Sequence, residues 1–237
     1  PVSFIGKVNN DELGNKYEKS LTNEKVKYCY QKKKESIPTG TCLILITPDS
    51  ERTMCTFLGI AGKVSDKDID ENAVKNSELV FLEGYLWDEG EPTTAFYKAM
   101  KLSKKTAMTL SDKFCVDRHK KSFLNLVNNK LDITFSNEQE ILSLIDVKDF
   151  DEVISFAKQL GKLIVITRSE KGSIAIQKNE VAECDCQKNL KIVDLTGAGD
   201  LFAAGFLHGH INNLSIKESL QKGTEKASEI IQKIGAR

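Results

Sequence analysis

IVDLTGAGDLFAAGFLHG, residues 192–209, decides how the chain is read. Ile192, Val193 and Asp194 have the character of a strand end. Gly197, Ala198 and Gly199 are small enough to turn sharply and leave their backbone N–H groups uncovered. From Asp200 the run through Leu201, Phe202, Ala203, Ala204, Phe206 and Leu207 is apolar around most of a helical circumference, which predicts a buried central helix. The first amides of such a helix lack internal partners and sit at the positive end of its dipole, so they favour an anion. Two roles are then open for Asp200. It is a helix cap, a common place for aspartate, or it takes a proton from an attacking hydroxyl while the amides hold charge on a transferred phosphoryl group.

With 237 residues the chain can bury one large core. Lys and Arg together number 34, as do Asp and Glu, so general basicity supports neither a nucleic-acid partner nor a membrane surface. No apolar run approaches the length of a membrane span. Of the cysteines only Cys184 and Cys186 are close, and the histidines lie elsewhere. Reduced thiols in a cytoplasmic protein are expected in preference to a zinc site.

From about residue 79 onward, strand and helix patterns alternate. LVFLEGY (Leu79–Tyr85), TAMTL (Thr106–Leu110), LDITF (Leu131–Phe135) and LIVIT (Leu163–Thr167) read as strands. Between them, helices are predicted from Pro92 to about Ser103, around Arg118–Asn128, after a capping box at Ser136 and Gln139, and from Asp149 to Leu160 with Gly161 as the stop. Such alternation predicts an α/β fold with a mostly parallel, doubly wound sheet. SIAIQ, VAECDCQ and KIVD follow as short strands without helices between them. A last helix is predicted from a capping box at Ser215 and Glu218, with Ile216, Leu220, Ala227, Ile230, Ile231 and Ile234 near one face and Gly235 ending it. The first sixty residues differ. After a helix near Asp11–Leu21, VKYCYQ, TCLILITP and RTMCTF read as antiparallel strands, the last two joined at Pro48-Asp49-Ser50. They suit a small β lid within about residues 24–58 of a single domain spanning 1–237.

With these pieces in order, the chain resembles the ribokinase (PfkB) family of sugar and nucleoside kinases over essentially its whole length. VDLTGAGDLFAAGF is similar to that family's C-terminal signature, and the resemblance implies that Asp200 is the general base and that Gly197, Ala198 and Gly199 form the anion hole. NEQE matches the family's N-x-x-E motif, which implies that Asn137 and Glu140 act on phosphate and magnesium. VITRSEKGS resembles the nucleotide-binding strand and turn, which implies roles in nucleotide binding for Thr167, Arg168, Glu170 and Gly172. FIGKVNNDELG resembles the segment I-G-x-V-G-x-D-x-x-G, with Asn9 where glycine is usual; asparagine tolerates left-handed backbone geometry. PTGTCLILITPDSERTMCTFLG, EGYLW, LSDKFCVDRH and IIQKIGAR look most like the adenosine-kinase-like bacterial branch.

The resemblance implies a ribokinase-like three-layer α/β/α fold. It also implies ATP and Mg2+ as cofactors, a nucleoside or sugar with a primary hydroxyl as acceptor, and a lid that in some relatives joins a homodimer. It leaves open a monovalent-cation requirement and the acceptor itself, adenosine being favoured over ribose, fructose or a similar sugar. A catalytically inactive nucleoside- or sugar-binding protein would have to lose the base, and Asp200 is present. A dinucleotide-binding oxidoreductase would show G-x-G-x-x-G after a first strand, which is absent. For single residues the alternatives stay open. Glu140 is a magnesium-handling carboxylate or a solvated first-turn charge, and Arg168 a phosphate contact or a surface charge. Tyr85 is a stacking partner for a substrate base or part of the core, while Trp87 is read as packing. The family opens with a strand bearing a substrate-binding aspartate, followed by a Gly-Gly…Asn segment. The sequence begins after both, so it is expected to be the later part of a longer protein.

Overall fold

The structure, a computed structural model, describes residues 1–48, 52–88 and 90–236. By its internal contacts the chain divides into two units, Pro1–Ile44 with Met54–Thr106, and Leu45–Thr53 with Ala107–Arg237. In the first unit, β1 (Val2–Phe4) leads through α1 (Glu12–Asn23) into β2 (Val26–Tyr28), which returns parallel to β1, Val2 opposite Val26. VKYCYQ therefore does not belong to an antiparallel set. A strand that follows a crossover helix comes back parallel, and the helix-length spacing between Phe4 and Val26 carried that signal. Phe4 stacks on Tyr28 and meets the edge of Tyr17, which ties the helix to the pair.

Asp11 caps α1 by accepting from the Gly14 amide at 2.8 Å, and it also accepts from the Thr39 amide and hydroxyl at 2.8 and 2.7 Å. Those bonds, Thr39's first, hold its carboxyl below the ordinary range. Asn9 does not use left-handed geometry. Its side chain donates to the carbonyls of Glu35 and Ile37 and accepts from the Glu35 amide, pinning the segment before β3 (Thr39–Ile46). β3 pairs with β4 (Arg52–Gly59) in a two-stranded sheet; Asp49 and Ser50 of the expected turn lie outside the described residues. α2 (Glu71–Asn76), β5 (Val80–Glu83) and α3 (Pro92–Leu102) complete this unit. Between the last two, Gly84–Asp88 forms a 3-10 turn that ends the strand before Tyr85.

The second unit carries β6 (Thr106–Thr109), α4 (Lys113–Asn129), β7 (Ile133–Asn137), α5 (Glu138–Ile145), α6 (Phe150–Leu160), β8 (Leu163–Thr167), β9 (Ser173–Gln177) and β10 (Glu180–Cys184), then α7 (Ala198–Ile211) and α8 (Ile216–Ile230). β6, β7 and β8 run parallel, β9 pairs antiparallel to β8, and β10 pairs antiparallel to β9, in the order β10-β9-β8-β7-β6. Leu163, Ile164, Val165 and Ile166 are all fully buried, which requires cover on both faces of the sheet and explains the continuous apolar run. Gly161, at φ 72°, ends α6 as the left-handed residue the sequence placed there.

Several expectations change in this unit. The helix cap after β7 is not Ser136 with Gln139; Asn137 and Glu140, one residue on, make the reciprocal box, because β7 continues to Asn137 and buries the Ser136 hydroxyl. KIVD forms no strand. The Val193 and Asp194 amides donate instead to the Ile231 carbonyl, at 2.8 and 3.3 Å, just past the end of α8. α8 ends at Ile230, which leaves Ile234 exposed and off its buried face.

Nor is α7 buried all round. Phe202, Ala203, Gly205, Phe206 and Gly209 are covered, whereas Ala204 and Ile211 are exposed. Its buried side meets α8 at backbone range: a Cβ on Gly205 would lie 2.4 Å from the Lys222 carbonyl oxygen, and one on Gly209 would lie 2.8 Å from Ser219 Oγ. The small residues serve helix contact rather than helix propensity. Gly205→Ala should force the two helices apart at a cost of about 1–3 kcal/mol, an overpacking penalty measured by urea denaturation. An unchanged midpoint would mean that this contact is loose.

Candidate active site

The loop between β10 and α7 is fixed by one buried carboxylate. Asp194 is 1% exposed, and its Oδ1 accepts from the Thr196 amide at 2.8 Å and the Thr196 hydroxyl at 2.6 Å, while Oδ2 accepts from the Gly235 amide at 2.8 Å. The bonds from Thr196, then those from Gly235 and the charge of Arg52, hold its carboxyl below the ordinary range against the opposing effect of burial. Three residues on, Gly197 sits at φ 80°, and a Cβ there would lie 2.9 Å from the Ala236 side chain. Both the left-handed backbone and the close approach demand glycine.

The turn delivers α7 with its first residues facing outward. Gly197 is the N-cap, so Asp200 is the third helical residue and not a cap; that role for it is excluded. Asp200 is exposed, and among the described residues its side chain makes no hydrogen bond. The Ala198 amide donates to the Leu195 carbonyl at 3.2 Å and is partly spent. The Leu201 amide makes the first intrahelical bond, to Gly197, which leaves the Gly199 and Asp200 amides without partners among the described residues. A Cβ on Gly199 would meet nothing within 4 Å, so there is open space beside these amides. Two unpaired N–H groups at the positive end of a fourteen-residue helix, beside open space and a carboxylate, fit an anionic phosphoryl group and a nearby proton donor.

A second group gathers at the ends of β7 and β8, where Asn137 lies opposite Thr167. Glu140 is 4% exposed, not a solvated charge. Its carboxylate accepts from the Asn137 amide at 3.0 Å and from Asn137 Nδ2 at 2.6 Å, while Asn137 Oδ1 accepts from the Glu140 amide at 2.8 Å. Among the described residues no cluster of three His, Cys, Asp or Glu could hold a metal by itself. A magnesium ion held by one carboxylate and by nucleotide oxygens, which suits that ion's preference, is what the Asn137–Glu140 pair can serve.

The Thr167 hydroxyl approaches the Ser136 carbonyl at 3.5 Å. Arg168 is no surface charge: its side chain is 20% exposed and its Nε donates to Glu138 Oε2 at 2.9 Å. Glu170 is exposed on the 3-10 turn Ser169–Lys171, its carbonyl accepting from Cys186 Sγ at 3.0 Å. Gly172, at φ 81°, closes that turn where a Cβ would lie 2.1 Å from the Cys184 carbonyl oxygen. All six cysteines are free thiols. In the first unit, Tyr85 is 45% exposed and does not complete the core, whereas Trp87 packs edge-on to Phe96 at 5.5 Å as expected. Asp194 and Glu138 were missed in the sequence. Asp194 was passed over as a strand end, although a carboxylate two residues before a Thr-Gly turn is the pattern of a side chain folding back on its own backbone.

The chain belongs to the pfkB family of carbohydrate kinases, whose family model matches residues 1–237. It is therefore a phosphotransferase that acts on hydroxyl groups, with the ribokinase-like α/β fold the sequence implied. An uncharacterized sugar kinase of Archaeoglobus fulgidus is 25% identical over 241 residues, covering all of this chain and 93% of that one. The crystal structure of adenosine kinase from Sinorhizobium meliloti is 35% identical with a TM-score of 0.96, across 99% of this chain and 73% of that one. A ribokinase-like protein of E. coli, solved with ATP and Mg2+, superposes with a TM-score of 0.90 at 20% identity, covering all of this chain and 78% of that one. Among the described residues no helix is long and apolar enough to cross a membrane.

Asp194→Asn should cost about 1.5–3 kcal/mol, because the replacement cannot accept from both Thr196 and Gly235 as a charged group does. The folded-state pKa of Asp194 lies below its ordinary 3.8, so this stabilisation is present above that pH and is lost as the pH falls through the folded value. Urea denaturation at neutral pH should show the full difference between wild type and variant, with the gap narrowing below about pH 4. A gap that stays constant into acid would remove the charge from the explanation.

Proposed function

We propose that the protein transfers the terminal phosphate of ATP to a primary hydroxyl of a nucleoside, in the manner of an adenosine kinase. The observation that carries the reading is Asp200, exposed and, among the described residues, without a partner, beside the two amides of Gly199 and Asp200 that are likewise unpaired there. Its carboxylate takes the proton of the attacking hydroxyl as that oxygen forms its bond to phosphorus and the bond to the leaving oxygen breaks. The amides hold the negative charge that builds on the phosphoryl oxygens. Magnesium-ATP supplies the phosphoryl group and the charge that neutralises it. Asn137 and Glu140 would hold the metal's side of the nucleotide, with Thr167, Arg168, Glu170 and Gly172 along the nucleotide itself.

Likeness to an adenosine kinase at 35% identity supports a nucleoside acceptor, and the exposed Tyr85 ring would stack on its base. A sugar such as ribose or fructose is the second reading, favoured by the 25% identity to a sugar kinase across the whole chain. The exposed Leu43, Leu45, Met54 and Phe57 of β3 and β4 support pairing of two copies through that sheet, since an isolated two-stranded sheet is marginal in water. Release of ADP measured with adenosine, ribose and fructose tests the acceptor. A preference for adenosine is expected, and turnover with sugars alone would shift the reading to a sugar kinase. Asp200→Asn should lower turnover by roughly 10²–10⁴-fold. The melting temperature should hardly move, because the side chain makes no hydrogen bond among the described residues. Near-normal turnover in this variant would end the base assignment.

A further inference from the structure

Arg168 is held from two sides. Its Nε donates to Glu138 Oε2 at 2.9 Å, and its guanidinium carbon lies 3.9 Å from the centre of the Phe150 ring. Stacking on a ring and a bond at Nε together fix both the plane of a guanidinium and its rotation within that plane. The two terminal nitrogens are left without hydrogen-bond partners among the described residues. Glu138 reaches Lys171 as well, its Oε1 accepting from Nζ at 3.0 Å. Partial burial pushes the Glu138 carboxyl up, but the bonds from Arg168 and Lys171 outweigh it and keep it ionised at neutral pH.

The three side chains that meet Arg168 or its ion pair come from separate segments: the first turn of α5, the start of α6 and the turn after β8. Folding therefore places a carboxylate directly beside a cation that the proposed function assigns to an anionic ligand. Electrostatics alone would disfavour that carboxylate, since one negative charge offsets one of the two positive charges. Geometry favours it, because an unrestrained arginine loses side-chain freedom each time it grips a phosphate.

We propose that Glu138 and Phe150 are positioning residues for nucleotide: they preset Arg168 so that its paired terminal nitrogens face a phosphate group. The inference rests on the nucleotide-binding reading of the proposed function. The two physical effects predict opposite signs. If Glu138 only damps positive charge, Glu138→Gln binds MgATP more tightly; if it positions Arg168, the same change weakens binding.

Calorimetric titration of the intact protein with MgATP and with MgADP tests this without turnover. Glu138→Gln and Phe150→Leu should each weaken binding by about fivefold to tenfold, although only the first changes charge. Arg168→Ala should weaken it at least as much, and in an Arg168→Ala background the other two substitutions should have no further effect, a coupling that independent sites do not show. Phe150→Tyr, which keeps a ring, should restore binding, and thermal melts confirm that each variant is folded. Tighter binding in Glu138→Gln, undiminished effects in the Arg168→Ala background, or unchanged binding in Arg168→Ala would overturn the proposal while leaving the kinase reading intact. Failure of the wild-type protein to bind either nucleotide would overturn both.

Discussion

The structure depends on the buried carboxylate of Asp194. Its bonds to Thr196 and Gly235, with Val193 and Asp194 donating to Ile231, fasten the loop before α7 to the chain that follows α8. Without that fastening, Gly197 has no reason to hold its left-handed turn against Ala236, and the start of α7 has no fixed direction. With it, the Gly199 and Asp200 amides are held in a set orientation, with open space beside Gly199. A preorganised pair of donors costs no reorganisation when charge arrives, which is where such sites gain most of their effect. A polar group this deeply covered is tolerable because both of its oxygens are matched.

The rest of the second unit supports that turn from behind. Backbone-range contacts at Gly205 and Gly209 seat α7 on α8, and Phe206 meets Phe135 edge-on at 5.5 Å, which ties α7 to β7. β7 and β8 end together at Asn137 and Thr167, and each is followed at once by residues with charge to offer: Glu138 and Glu140 on one side, Arg168 and Lys171 on the other. Parallel strands place all such ends at one sheet edge, where open α/β folds bind their ligands.

Much of this was legible in the sequence, for identifiable reasons. Strand β8 matches the run LIVIT residue for residue because a strand covered on both faces must be apolar throughout. The caps at Ser215 and Gly161 were legible because each uses a local bond or a local backbone angle. What the sequence concealed depends on residues far apart in the chain. KIVD has strand composition but spends its amides on Ile231, nearly forty residues away, and nothing local reveals that partner. The reciprocal box at Asn137 and Glu140 competes with an equally plausible one at Ser136 and Gln139, and only the length of β7 decides between them. The cap reading of Asp200 failed for a similar reason: Gly197, held by Ala236 from the end of the chain, starts the helix three residues earlier.

The central claim is that the Gly199 and Asp200 amides receive the transferring phosphoryl group. Its most direct test is the amide resonances of these two residues, followed by NMR during titration with MgADP and fluoroaluminate, a mimic of the phosphoryl group in flight. Both should shift strongly and saturate together with nucleotide binding, in the direction expected for an N–H that gains a charged acceptor. Nucleotide binding that moves resonances around Asn137 and Arg168 but leaves Gly199 and Asp200 unmoved would contradict the account.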